Sequence, residues 1–145
     1  MLALVIVTLL SISDPRLILG INPWIKPMKF LTSITLFLWS FAWFMPETAD
    51  KPRQRQIVRW VAAGSMTIEI VCIILQAARG TTSHFNNATL FDGIIFGLMG
   101  LTIGINTVAI ALFLFILRRD TPPQRTGYIW GVRMGVALFL LASLE

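Results

Sequence analysis

"TIEIVCIILQAARGTTSHFNNATLFD", residues 67–92, begins inside a long apolar run, carries Glu69, Gln76 and Arg79 through it, and closes on Ser83, His84 and Asn86. Extended back to about Ile57, the run reads as one helix over 57–79, with Gly80 as a natural stop. Ser65, Glu69, Cys72, Gln76 and Arg79 recur along it at spacings of four, three, four and three, which is one face of a helix. From Ser65 onward the remaining residues of that helix are Met, Ile, Val, Leu and Ala, apart from Thr67. The fold turns on why so greasy a segment carries a carboxylate in its middle and gathers polar residues at one end.

Composition decides the surroundings. Of 145 residues, 56% are hydrophobic and 13% charged, against roughly 25% charged in ordinary soluble domains. The mean hydropathy is +0.77, and several apolar runs approach or exceed the ~20 residues that span a bilayer as a helix. The expectation is a polytopic membrane protein. A formal charge of +5 and a pI near 10.4 fit basic cytoplasmic loops better than nucleic acid, which is not expected as a partner. The lone Cys72 forms no intrachain disulfide.

Worked outward, the chain divides into five apolar segments. Residues 2–13, "LALVIVTLLSIS", would cover only ~18 Å of a ~30 Å hydrocarbon core. Three readings compete: a short or tilted span, the remnant of a longer helix, or a signal-peptide core ending at Ser11-Ile12-Ser13. The missing basic n-region favours the short span. Pro23 and Pro27 bias Asn22 and Lys26 away from helix, while Trp24, Lys26 and Lys29 read as interfacial anchors for a second helix over 28–45, closed by Pro46. "ETADKPRQRQ" is then a polar loop. A fourth helix spans 93–117, with Asp92 read as its N-cap, and a fifth spans 128–145. The architecture expected is all-α, one transmembrane helical domain over 1–145 with five helices, or four if residues 2–13 do not cross.

Orientation follows from Lys and Arg. Loops 46–56 and 118–127, with Arg59 just inside the next helix, hold seven of the twelve basic residues and are expected on the cytoplasmic side. Loop 80–92 would then lie outside. Helix four carries Gly93, Gly97, Gly100 and Gly104, and helix five Gly127, Gly131 and Gly135. Small residues at that spacing let helix backbones approach closely, here four against five or against another subunit.

A carboxylate midway through such a helix must be paired, wetted or protonated, since ionised side chains cost roughly 2.5–3.5 kcal/mol at mid-membrane on insertion scales. Glu69 is therefore expected to face the protein interior or a cavity. Arg133 and Asn106 are the candidate partners, and Gln76 is placed for a water chain. Either the group is a static clamp, or it is a proton or cation relay opening outward through Gln76 and Arg79, with His84 at the outer mouth. One histidine cannot ligate a haem bis-axially, and no His/Cys/carboxylate set has zinc spacing. No metal or other cofactor is expected. Asn87-Ala88-Thr89 fits a glycosylation pattern, relevant only in a secretory host. No P-loop, Gly-x-Ser-x-Gly or HExxH occurs.

"NPWIKPMKF" before helix two, "QAARGTTSHFN" after helix three and "GVRMGVALFLLASLE" near the end resemble a bacterial inner-membrane protein family of unknown function. The resemblance covers most of the chain and implies that it corresponds to the amino-terminal portion of such proteins. It implies no activity. It draws interest to Lys26, Lys29, Gln76, Arg79, Ser83, His84 and Asn86. The function expected is a small transport or proton-conducting module with Glu69 as its buried carboxyl. The alternatives are a non-catalytic subunit or assembly factor, whose glycine faces dock a partner helix or a second copy, and a membrane-embedded redox or haem protein.

Overall fold

The computed structural model describes residues 2–48, 51–117 and 123–142, with the side chains of residues 123 and 124 excepted. Within them the chain is all-α: α1 Leu2–Ser13, α2 Ile25–Phe44, a 3₁₀ turn Met45–Glu47, α3 Pro52–Arg79, α4 Leu90–Ile116 and α5 Pro123–Ala142. Three of these, α2 with its 3₁₀ extension, α3 and α4, are long and apolar enough to cross a membrane. Neither α1 nor the described part of α5 is among them: α1 is too short, and α5 opens on "PQRTG" and carries Arg133.

Every helix start expected after α1 moves upstream, each for a local reason. α2 begins at Ile25, so Lys26 is helical despite the proline after it. Pro27 falls in the first turn, where a missing N–H costs no intrahelical bond. Asn22 Oδ1 accepts the Trp24 backbone N–H at 3.0 Å, and that turn sets the helix going. α3 takes in "PRQRQ", expected as loop, because Pro52 occupies its first position and the residues after it are good helix formers. α5 likewise opens on Pro123. Residues 118–122 and 143–145, where the sequence places loop and helix respectively, lie outside the described residues.

α4 begins at Leu90, which removes Asp92 from the N-cap position. Thr89 is the cap: its Oγ1 accepts the Asp92 backbone N–H at 3.1 Å, and its hydroxyl donates to Asp92 Oδ2 at 2.6 Å. Cap and third helical residue thus hold each other, a variant of the capping box. α3 ends in a Schellman motif: the Thr81 N–H reaches the Gln76 carbonyl and the Gly80 N–H that of Ala77. Gly80 supplies the required positive φ of 75°.

The chain forms two compact units, Met1–Phe37 with Met66–Ile103, and Leu38–Ser65 with Gly104–Glu145. α3 and α4 each contribute a segment to both. In the first unit, Val7, Trp24 and Ala77 pack as one cluster, and Cys72, Ile73, Ile95 and Met99 as another. In the second, Phe41 packs against Phe113 with tilted rings 4.7 Å apart, Arg125 pairs with Glu47 at 3.5 Å, and Thr48 bridges to Leu117. The polar face of α3 points inward from Ser65 to Gln76: Ser65, Glu69, Cys72 and Gln76 are all buried.

Candidate functional site

The site lies in the first unit, where α2 and the loop after α3 bring two bases to Glu69. That carboxyl, 2% exposed, projects from α3 ten residues before Arg79. The loop over 80–89 does not stand off in solvent. It folds back into the unit, burying Ser83 and Asn86, and sets His84 Nε2 3.7 Å from Glu69 Oε1. Asn86 braces the turn, donating to the Thr82 carbonyl at 3.0 Å and accepting the Ala88 N–H at 3.1 Å. Phe85, at a φ of 56°, makes the reversal between them.

On the other side of the imidazole, Lys26 Nζ lies 3.0 Å from Nδ1, and the Ser83 hydroxyl lies 3.1 Å from the same atom. An ammonium can only donate, so Nδ1 accepts and the ring proton of a neutral His84 belongs on Nε2, facing Glu69. The three side chains form a line: ammonium, imidazole, carboxyl. Glu69 Oε2 is fully buried and has no hydrogen-bond partner among the described residues. His84 belongs to the loop, and its pKa is lowered from 6.5, first by burial and then by the Lys26 charge. Phe30 flanks the pair, 6.0 Å from the imidazole centroid and 5.9 Å from Lys26 Nζ.

Gln76 and Arg79, expected on the outward path from Glu69, are held elsewhere. Gln76 Nε2 donates to Asp92 Oδ1 at 2.9 Å, while its Oε1 accepts from Arg79 and from the Thr81 hydroxyl. Arg79 also pairs with Asp92 Oδ1 and covers the Phe91 ring at 4.6 Å. With its oxygen and one amide proton engaged, Gln76 clamps the end of α3 to the start of α4 instead of holding a water chain. Asp92, read from sequence only as a cap, is the acceptor on which this clamp converges.

Asn106 and Arg133, offered by the sequence as partners for Glu69, belong to the second unit. There Asn106 Oδ1 accepts the Ser65 hydroxyl at 3.3 Å, and the Arg133 guanidinium lies 5.7 Å from the Trp130 ring. Among the described residues, no three His, Cys, Asp or Glu side chains converge as metal ligands do. A β-carbon at Gly97, Gly100, Gly104, Gly127, Gly131 or Gly135 would meet nothing within 4 Å, and Gly93 meets only the Asn87 side chain. Those six glycine positions are exposed.

Lys26 sits beside His84, a contact the sequence does not signal directly. It read as a headgroup anchor, and only its i, i+4 relation to Phe30 and the inward return of "TTSHFN" reveal its place beside His84. No family model matches this chain, and neither a curated protein nor a solved structure matches it.

Proposed function

We propose that this chain is an integral membrane protein that moves protons, as a small conducting or transport module. Lys26, His84 and Glu69 would be its relay. One observation carries the reading: a buried carboxyl with an unpartnered oxygen, faced by an imidazole that is itself held by an ammonium. Ionisable groups inside membrane helices mark ion and proton pathways more often than packing. His84 suits the intermediate place because its two nitrogens can take a proton on one side and release it on the other.

The membrane half of the proposal is supported by the surface. Trp39, Val108 and Phe115 on the long helices are each about 70% exposed, and a band of exposed apolar side chains is normal against lipid. The inward-folded loop also fits, since irregular backbone is tolerated at membrane depth only where protein or a cavity surrounds it. In this reading the Lys and Arg count puts loops 46–56 and 118–127 on the cytoplasmic side and loop 80–92 outside.

Proton uptake by proteoliposomes, read with an entrapped pH dye, tests the relay. Glu69→Gln keeps the shape and removes the exchangeable proton, and the flux should fall by about 100-fold or more, the scale of a lost acid–base group. Wild-type flux in a folded Glu69→Gln protein rules the relay out. A second reading, a subunit or assembly factor docking a partner helix, is favoured by the exposed glycine faces of α4 and α5. It predicts unchanged flux for Glu69→Gln and loss of partner co-purification for Gly131→Leu.

A further inference from the structure

Beside the relay, the first unit holds a cavity of about 310 Å³ between the link after α1, the first turns of α2, the end of α3 and the start of the loop. Its walls are apolar, with Ile18, Ile21, Phe30, Ile73 and Ala77 among them. Polar groups gather where α2 meets the loop. Lys26 and Ser83 both reach His84 Nδ1 and both line the cavity, and Lys29 lies three residues along α2 on the same side. Lys29 forms no ion pair among the described residues. Such a volume is within the range of small-ligand sites, about 300–1,000 Å³, which are apolar with a few convergent polar groups.

The rim has its own character. Ile18 and Ile21 exchange two backbone hydrogen bonds across Leu19-Gly20, both at positive φ, 52° and 80°. This is a type I′ turn. It holds Leu19, 88% exposed, out over the cavity. A leucine in the left-handed region costs about 1–2 kcal/mol, and here it extends the apolar wall outward.

We propose that this cavity binds an anionic amphiphile, its carboxylate or phosphate head held by Lys26, Lys29 and the Ser83 hydroxyl and its apolar body lying along Ile21, Phe30 and Ile73. Two lysines at one end of an apolar hole leave positive charge that a lone hydrocarbon would not satisfy, and an inorganic anion would leave the walls unfilled. The exposed leucine at the mouth suits a ligand arriving from an apolar phase. The proposal rests on the relay reading in one respect only: Lys26 belongs to both, so an anion bound there competes with His84 Nδ1 for its protons.

The test uses the full chain in phosphatidylcholine nanodiscs with a dansyl-undecanoate probe. Decanoate should displace the probe, whereas decanol and inorganic phosphate should not. Displacement by phosphatidylglycerol added to the disc, without displacement by decanoate, identifies a bilayer lipid as the source of the head; displacement by decanoate identifies a free amphiphile. Lys29→Gln should weaken binding by at least about tenfold, the loss of one charged hydrogen bond. Thr82→Trp fills the mouth without changing charge and keeps the backbone carbonyl that Asn86 uses, and it should block the probe. Lys29→Gln should retain Glu69-dependent proton flux, and Glu69→Gln should retain binding, so the two proposals fail separately. Equal affinity in wild type, Lys29→Gln and Thr82→Trp, or displacement by decanol or by phosphate as effective as by decanoate, overturns the ligand site.

Discussion

At the scale of the residue, His84 is where charge and folding meet. Lys26 on α2 and Glu69 on α3 are the titratable groups facing it. Its pKa is lowered from 6.5 in the folded protein, mainly by burial. Unfolded chains therefore take up a proton below about pH 6.5 that the folded chain resists, so stability present above that pH is lost as pH falls through the window beneath it. The midpoint of thermal unfolding should drop between pH 7.5 and 5.5, and His84→Asn should flatten that decline. An unchanged slope in the variant would assign the pH response to another group. Gly80 offers a check on geometry: Gly80→Ala keeps the sequence nearly intact but forces a side chain into positive φ, and should cost about 1 kcal/mol in denaturant unfolding. The sequence announced that Glu69 would be buried, because a carboxylate in that apolar run has few other places to go. It did not announce Lys26 as a neighbour, because a lysine beside two prolines and a tryptophan has the same composition as any interfacial anchor.

Among the elements, the end of α3 and the start of α4 are tied by one carboxylate. Asp92 accepts from Gln76, Arg79 and Thr89 at once, so it fixes where one helix stops and the next begins. Thr89→Ala removes the cap and should destabilise by about 1 kcal/mol. Asp92→Asn should cost more, since Gln76 is fully buried and an amide can answer its donor and the Arg79 charge only in part. Chemical denaturation of both variants gives the order, and a smaller loss for Asp92→Asn would show the clamp to be incidental. The pattern [ST]-x-x-[DE] is present at Thr89–Asp92, but Asp92 directly before Gly93 offers a competing cap, since glycine is common at helix boundaries. Each of the five apolar segments holds a helix among the described residues, as expected. Starts were read late at Pro27, Pro52 and Pro123, since a proline ends a helix from within and begins one from its first turn, and composition alone does not say which.

For the whole molecule, sidedness tests the proposed membrane topology. With Cys72 replaced by alanine, Lys51→Cys and Asn87→Cys are both at exposed positions. Under the proposed topology, an impermeant maleimide should label position 87 from outside and position 51 only after the membrane is opened. Labelling of both from one face would overturn that topology. Loop basicity spoke to this because lysine and arginine resist translocation, whereas the return of residues 80–89 into the first unit was invisible: its contacts, such as His84 to Lys26, join positions 58 apart. That return has a consequence for how the protein is made. Helices can enter a bilayer one at a time, but a polar segment can settle among them only once its receiving walls stand. Under the proposed membrane reading, docking of the loop that carries His84 follows the placement of α2 and α3, and until then the nascent chain carries an unsheltered glutamate that the insertion machinery must tolerate.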